Sequence, residues 1–122
     1  MQHNPGFLKL VEAVKKGVQE CQIEDVQVKL KAQSPLILVD VREDNEWQAG
    51  HIPGALHLGR GIIERDIETK IPDKNAEIIL YCGGGFRSAL AAESLQKMGY
   101  TNVISMDGGM RAWRERKLPE EK

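Results

Sequence analysis

The chain has 122 residues, which is enough for one compact domain with its own core and too few for two ordinary domains. Hydrophobic residues make up 41% and charged residues 29% of the composition, as is typical of a globular protein. The formal net charge of -1 gives no basis for predicting nucleic acid or a membrane surface as a partner. The sequence contains neither a leader pattern nor an apolar stretch of about 18 residues, so we expect a cytoplasmic protein.

The N-terminal residues predict an amphipathic helix over residues 6–19, within an extension that we place at residues 1–20. Its apolar side chains recur at helical spacing, and lysines and a glutamate occupy the opposite face. The apolar positions are Phe7, Val11, Val14 and Val18. A second helix is expected over residues 24–32, because Ser34 and Pro35 then interrupt the pattern.

Three short, unbroken apolar runs follow, and each predicts a strand that is covered on both faces. They lie at residues 36–41, 77–81 and 103–106. Further helices are expected over residues 88–98, where Gly99 provides a left-handed cap, and from about Gly109 to Arg116. Strands that alternate with helices in this order predict an α/β domain with a parallel sheet.

Three polar or reactive side chains stand at the ends of the predicted strands. Asp40, Cys82 and Asp107 come from segments that are far apart in sequence. Ligands of α/β sheets bind beyond the carboxyl ends of the strands. We therefore expect these three residues to lie on one edge of the sheet.

The loop after the second predicted strand has the pattern of a nucleophile site. It reads Cys82-Gly83-Gly84-Gly85-Phe86-Arg87, and Ser88 opens the next helix. The glycines can adopt positive φ, which allows successive backbone N–H groups to point at the Cys82 sulfur. The helix dipole and Arg87 add positive charge, so the thiolate is favoured and Cys82 is predicted to be a reactive nucleophile. The alternative is that the glycines only make a tight turn after a small apolar cysteine.

The other candidate side chains receive structural interpretations. Cys21 stands in a charged stretch that we expect to be helical, and we do not expect a disulfide with Cys82. His51 and His57 lack metal-ligand spacing, so no metal site is expected. Trp47 and Trp113 are expected to pack in the core or between helices.

Three arginines offer a possible attraction for an anionic ligand. Arg60, Arg65 and Arg111 could gather near the mouth of the site. However, acidic residues at positions 64, 66 and 68 are interleaved with the first two. A solvated helix face of mixed charge is therefore the favoured interpretation of that stretch.

Four motifs give the chain a family resemblance. They are Leu38-Val39-Asp40-Val41-Arg42-Glu43 followed by Glu46-Trp47, Gly50-His51-Ile52-Pro53-Gly54-Ala55, Tyr81-Cys82 with Arg87-Ser88, and Asp107-Gly108-Gly109 with Trp113. In this order and spacing they resemble the rhodanese-like single-domain sulfurtransferases over about residues 34–116.

The resemblance implies a single rhodanese-like domain over residues 1–122, with a central, mostly parallel five-stranded sheet flanked by helices on both faces. It implies a thiosulfate sulfurtransferase-type enzyme without a cofactor. Cys82 would take a sulfane sulfur from thiosulfate, a polysulfide or a persulfide, carry it as a persulfide, and pass it to a thiol or cyanide. Residues 83–88 would cradle that sulfur. Asp40, Arg42 and Asp107 are expected to support the site, Asp40 and Arg42 by pairing with each other or bracing the loop.

The residues leave several alternatives open. Phosphatase and arsenate-reductase relatives have a longer active loop, and the six residues from Cys82 to Arg87 favour sulfur. The positions after Cys82 lack the cationic residues that thiosulfate-specialised members often place there, so a polysulfide or small persulfide competes as donor. A sulfur carrier or sensor, or a partner-binding module without turnover, also remains possible, as do a monomer and a homodimer.

Overall fold

The computed structural model is an α/β sandwich built on one five-stranded sheet, and it describes residues 3–122. Met1 and Gln2 of the predicted extension therefore lie outside the described residues. The strands are β1 (Gln19–Cys21), β2 (Leu36–Asp40), β3 (Leu56–His57), β4 (Glu77–Tyr81) and β5 (Val103–Met106). The helices are α1 (Pro5–Lys15), α2 (Ile23–Lys31), α3 (Asp44–Gln48), α4 (Ile63–Lys70), α5 (Phe86–Lys97) and α6 (Gly109–Glu115). The predicted fold class is confirmed.

The strand order is β1-β5-β4-β2-β3, and every neighbouring pair is parallel. Parallel strands have their carboxyl ends on the same edge of a sheet. Asp40 ends β2, Cys82 follows β4, and Asp107 follows β5. The predicted placement of these three residues on one edge is therefore confirmed.

Apolar side chains cover both faces of the sheet, which explains the unbroken apolar runs of the central strands. Along β4, Ile78 and Leu80 pack into one core with side chains of α4 and α5. Ile79 and Tyr81 pack into a second core on the other face with side chains of α2 and α6. Cys82 continues the alternation and belongs to the first core. Its side chain is thus directed to the face that carries α5.

The N-terminal segment differs from its prediction. Helix α1 ends at Lys15, and residues 19–21 form the edge strand β1 beside β5. The expectation that Cys21 lies in a helical stretch is therefore wrong. Strand β1 is short and reads Gln-Glu-Cys, so its pairing depends on backbone contacts with β5 and leaves no apolar signal in the sequence.

Helix α1 packs on its own domain. Val11 and Val14 are buried, and α1 lies against α5. Three further elements, α3, β3 and α4, had no predicted bounds, since each is only two to eight residues long. Among residues 3–122, no helix has the length and hydrophobicity needed to cross a membrane.

Candidate functional site

The Cys82 sulfur lies at the start of α5 and accepts hydrogen bonds from the loop that follows it. The Gly85 N–H donates to Cys82 Sγ at 3.1 Å, and the Ser88 N–H donates at 3.4 Å. Helix α5 has 12 residues and begins at Phe86, so its positive end also faces the sulfur. Hydrogen-bond donors and the positive end of a helix stabilise negative charge that develops on a sulfur atom.

The three glycines play different parts in the loop. Only Gly85 has a positive φ, at 101°, so the expectation of positive φ does not hold at Gly83 and Gly84. A Cβ at position 85 would also lie 3.2 Å from the Gly108 nitrogen and 3.3 Å from Asp107 Oδ1. Gly85 therefore makes the turn, whereas Gly83 and Gly84 line an adjacent cavity.

A pair of buried serines connects Cys82 to β5. Ser88 Oγ is 3.5 Å from Cys82 Sγ and 2.8 Å from Ser105 Oγ, and both serines are fully buried. The Ser88 hydroxyl can donate to a thiolate while it accepts from Ser105. Sequence reasoning did not assign a role to Ser105. Its only signal was a polar residue within the otherwise apolar run of β5.

The start of α6 holds the backbone of the loop that follows Cys82. The Met110 N–H donates to the Cys82 carbonyl oxygen at 2.7 Å, and the Arg111 N–H donates to the Gly83 carbonyl oxygen at 3.0 Å. A Cβ on Gly109, which has a φ of 53°, would overlap the Cys82 carbonyl oxygen. Asp107 Oδ1 lies 3.5 Å from Lys15 Nζ on α1. The turn from Asp107 to Gly109 thus lies directly against the loop.

Asp40 and Arg42 form a buried ion pair away from the Cys82 cavity. Arg42 Nε and Nη2 donate to the Asp40 carboxylate at 3.1 Å and 2.9 Å. Arg42 Nη2 also donates to the Gly50 carbonyl oxygen at 2.7 Å. The side chains of Asp40 and Arg42 are 0% and 3% exposed. Arg42 lines a second, neighbouring cavity of about 470 Å³, and neither residue lines the cavity that contains Cys82.

Arg87 does not present an unopposed charge to the sulfur. Its Nη1 and Nη2 donate to the two carboxylate oxygens of Glu46 on α3, at 2.8 Å and 3.1 Å. This hydrogen bonding lowers the pKa of Glu46 to about 2, so the carboxylate stays charged throughout the physiological pH range. The pair joins α3 to the start of α5 at the edge of the cavity. Sequence reasoning gave Glu46 no role beyond the family resemblance.

The cavity beside Cys82 has a volume of about 640 Å³ and combines aromatic rings with a cation. Its lining includes His3, Phe7 and Phe86, together with Arg111. Cys82 lines it as well, although the residue as a whole is only 1% exposed. Within residues 3–122, Arg111 has no carboxylate within 4.0 Å. The size of the cavity suits a small organic molecule.

Arg60 and Arg65 do not join Arg111 at this cavity. Arg60 pairs with Glu64 at 2.9 Å, and Arg65 pairs with Asp66 at 2.7 Å. The mixed-charge interpretation of this stretch is therefore confirmed. Of the three arginines that sequence reasoning considered, only Arg111 lies beside Cys82.

The histidines and tryptophans pack against one another and against backbone groups. The His51 ring stacks on Trp47 with centroids 3.4 Å apart, and His51 Nδ1 lies 3.1 Å from the Trp47 carbonyl oxygen. The His57 ring stacks on the same tryptophan at 4.8 Å. Trp113 is buried, and its Nε1 donates to the Pro119 carbonyl oxygen. From His3 to Lys122, no three His, Cys, Asp or Glu residues are grouped so as to hold a metal.

Comparison with known proteins assigns this arrangement to a family. The model of the Rhodanese-like domain matches residues 22–116. The chain belongs to the rhodanese-like domain family. It is 35% identical over 103 residues to the putative sulfurtransferase YtwF of Bacillus subtilis, and the match covers 84% of this chain and 97% of YtwF. It is 34% identical over 97 residues to the putative sulfur carrier protein YrkF of the same organism, covering 80% of this chain. That match spans only 51% of YrkF.

One solved structure is similar to this chain over almost its whole length. It is that of the Rhodopseudomonas palustris protein RPA3614, a protein of unknown function described as a possible tyrosine phosphatase. The TM-score is 0.88 and the sequence identity 28%, with coverage of 99% of this chain and 98% of RPA3614. The proteins that this chain is similar to thus carry two kinds of description, sulfurtransferase or sulfur carrier for the two Bacillus subtilis relatives and possible tyrosine phosphatase for RPA3614.

Proposed function

We propose that this rhodanese-like protein is a sulfurtransferase that carries a sulfane sulfur on Cys82 as a persulfide. The observation that carries the proposal is the position of Cys82 Sγ. It accepts hydrogen bonds from the N–H groups of Gly85 and Ser88 at the start of α5. Cys82 also lines a cavity that can admit a small sulfur donor. The relatives described as sulfurtransferases and as a sulfur carrier support the same reading.

The reaction divides into two displacements on sulfur. In the first, the Cys82 thiolate attacks the terminal sulfur of the donor, an S–S bond forms to Sγ, and the donor's own bond to that sulfur breaks with its electron pair on the leaving group. In the second, a thiol or cyanide attacks the terminal sulfur of the persulfide. The S–S bond then breaks, and its electron pair returns to Sγ. A covalent intermediate thus separates one transfer into two easier steps.

The loop stabilises the Cys82 thiolate before it takes up sulfur and again after it passes the sulfur on. The N–H groups of Gly85 and Ser88 donate to Sγ, and the Ser88 hydroxyl is supported by Ser105. Helix α6 fixes the carbonyl groups of Cys82 and Gly83. The N–H groups that donate to Sγ are therefore held in place before the sulfur-donating molecule binds. Asp40 and Arg42 act at a distance by fixing the neighbouring segment at Gly50.

Thiosulfate is one candidate sulfur donor. The charges around the cavity also suit sulfur donors that carry less charge than thiosulfate. The Arg87 guanidinium is paired with Glu46, which leaves Arg111 to meet an anionic donor. Thiosulfate carries two negative charges and is strongly hydrated, so a site with one available cation binds it weakly. We therefore include polysulfides and persulfides among the donors, with a thiol or cyanide as acceptor.

The proposal predicts that Cys82 is loaded by a sulfur donor. After incubation with thiosulfate or polysulfide and removal of the donor, the intact protein should gain the mass of one sulfur atom, and peptide mapping should place it on Cys82. Cyanide should remove it, since cyanide attacks sulfane sulfur. Absence of the added mass with every donor, or its location on Cys21 alone, would reject the proposal.

Phosphatase activity is the competing candidate because of the description given to RPA3614. The loop of six residues from Cys82 to Arg87 leaves less room above the sulfur than a longer loop would for a tetrahedral phosphate. Hydrolysis of an aryl phosphate by the wild type, with loss of that hydrolysis in Cys82→Ser, would favour the phosphatase. Sulfur loading without hydrolysis is the result we expect.

A further inference from the structure

Three aromatic rings lie together on one side of the active cavity. The His3 ring is 5.2 Å from the Phe7 ring and 4.9 Å from the Phe86 ring, and the two phenylalanine rings are 6.0 Å apart. All three residues line the cavity that contains Cys82. We call these three residues the aromatic wall. The wall is aromatic surface beside Cys82, and an inorganic donor has no group that packs on it.

The N-terminal segment supplies two of the three rings and is anchored to the domain. Val11 and Val14 of α1 are buried, and α1 packs on α5, the helix that begins with Phe86. Lys15 Nζ lies 5.2 Å above the Phe86 ring and 3.5 Å from Asp107 Oδ1. The aromatic wall is therefore fixed by the protein's own chain and needs no partner to form.

Within the described part of the chain, the cavity offers the wall together with one unpaired cation, Arg111, since Arg87 in the same lining is paired with Glu46. Arg111 has no carboxylate partner among residues 3–122 and lines the same cavity of about 640 Å³. A ligand with an apolar body and a single negative charge satisfies both features. Aromatic side chains attract another aromatic group more strongly than simple burial accounts for. Thiosulfate has no apolar surface and gains nothing from the wall.

We propose, building on the sulfurtransferase function above, that the donor is an organic sulfane-sulfur anion whose apolar group packs against His3, Phe7 and Phe86. Its charged sulfur group lies toward Arg111 and Cys82. For a thiosulfonate, the Cys82 thiolate attacks the terminal sulfur. The S–S bond to Sγ forms, and the bond to the sulfonyl sulfur breaks with its electron pair on the departing sulfinate. Two negative charges enter and two leave, so no oxidant or reductant is consumed.

Two thiosulfonates that differ only in their organic group test this selection. Benzenethiosulfonate and methanethiosulfonate carry the same reactive group, and kcat/KM for each is measured with cyanide as acceptor. The ratio of the two values is compared between the wild type, Phe7→Ala and Phe7→Leu. Taking the ratio between proteins removes the intrinsic difference in leaving groups. We expect the ratio to fall about fivefold in Phe7→Ala, with a smaller fall in Phe7→Leu, because the ring contact is lost.

Two further variants serve as matched controls. Leu8 lies on the same helix, is 42% exposed and does not line the cavity, so Leu8→Ala should keep the wild-type ratio. Arg111→Gln should lower kcat/KM for both donors by a similar factor and leave the ratio unchanged, because both donors carry the same charge. Phe7→Leu retains most of the side-chain volume and decides the question if Phe7→Ala does not fold.

The outcomes separate this inference from the function on which it rests. Loading of Cys82 by both donors, with the same ratio in the wild type and in the folded Phe7 variants, overturns the aromatic wall and leaves the sulfurtransferase intact. A higher ratio in the Phe7 variants has the same meaning. If neither thiosulfonate loads Cys82 of the wild type although a polysulfide does, the inference about the organic donor falls and the sulfurtransferase stands. If no donor loads Cys82, both proposals fall.

Discussion

Replacing Cys82 with serine is expected to lower sulfur transfer at least about a thousandfold, because the nucleophile of a covalent mechanism has no substitute in the site. A serine hydroxyl is a poor nucleophile toward sulfur and cannot form a persulfide. The side chain is small and buried beside Ser88, so a hydroxyl can occupy the same space with little effect on the fold. The measurement is kcat/KM with cyanide as acceptor, together with a thermal melt of each protein.

The second cysteine provides the matched control. Burial, reinforced by the negative charge of Asp25, raises the pKa of Cys21 to about 11, so this residue is a thiol at neutral pH. Cys21→Ser is therefore expected to transfer sulfur as the wild type does. Activity in Cys82→Ser within a few-fold of the wild type, or an equal loss in Cys21→Ser, would contradict the role given to Cys82.

Replacing Arg42 with leucine is expected to lower the free energy of unfolding by about 3–5 kcal/mol, since it leaves a buried carboxylate without its partner. The Asp40 side chain is 0% exposed and accepts hydrogen bonds from Arg42 Nε and Nη2. The substitution also removes a donor from the Gly50 carbonyl oxygen. Chemical denaturation measures the change.

An exposed ion pair is the control for this experiment. Arg65 pairs with Asp66 in solvent, with an Arg65 side chain that is 73% exposed, so Arg65→Leu should hardly change stability. The double variant Asp40→Leu/Arg42→Leu should be more stable than Arg42→Leu alone, because it removes the unpaired charge as well. A loss in Arg42→Leu no larger than that in Arg65→Leu would show that the pair does not stabilise the fold.

The central strands could be predicted from sequence because their burial is complete. Residues 78–81 and 103–106 are buried, and all of them except Ser105 are apolar or aromatic. The structure gives β4 and β5 the predicted bounds, 77–81 and 103–106. Gly99, with a φ of 99°, ends the helix before β5 as its position indicated. Strand β1 had no such signal, because a polar three-residue edge strand is defined by the neighbour it pairs with.

Part of the site could likewise be predicted from the sequence, and part could not. The placement of Cys82 at a glycine turn before a helix could be predicted because these features are neighbours in the sequence. Three other side chains of the site come from distant elements. Glu46, which pairs with Arg87, lies on α3. Ser105, which contacts Ser88, lies on β5, and Phe7 lies on α1. Only the tertiary fold brings them to Cys82. The assignment of positive φ to the loop failed at Gly83 and Gly84, because one left-handed residue, Gly85, is enough to make the turn.

The most direct test of the central claim follows the sulfur through a single turnover. Cys82 is loaded, the donor is removed, a thiol acceptor is added, and the intact mass and the acceptor persulfide are followed in time. A sulfurtransferase predicts that the added sulfur leaves Cys82 and appears on the acceptor at a rate no slower than kcat. A Cys82 persulfide that persists in the presence of acceptor, or decays more slowly than steady-state turnover, would contradict it and leave a sulfur carrier.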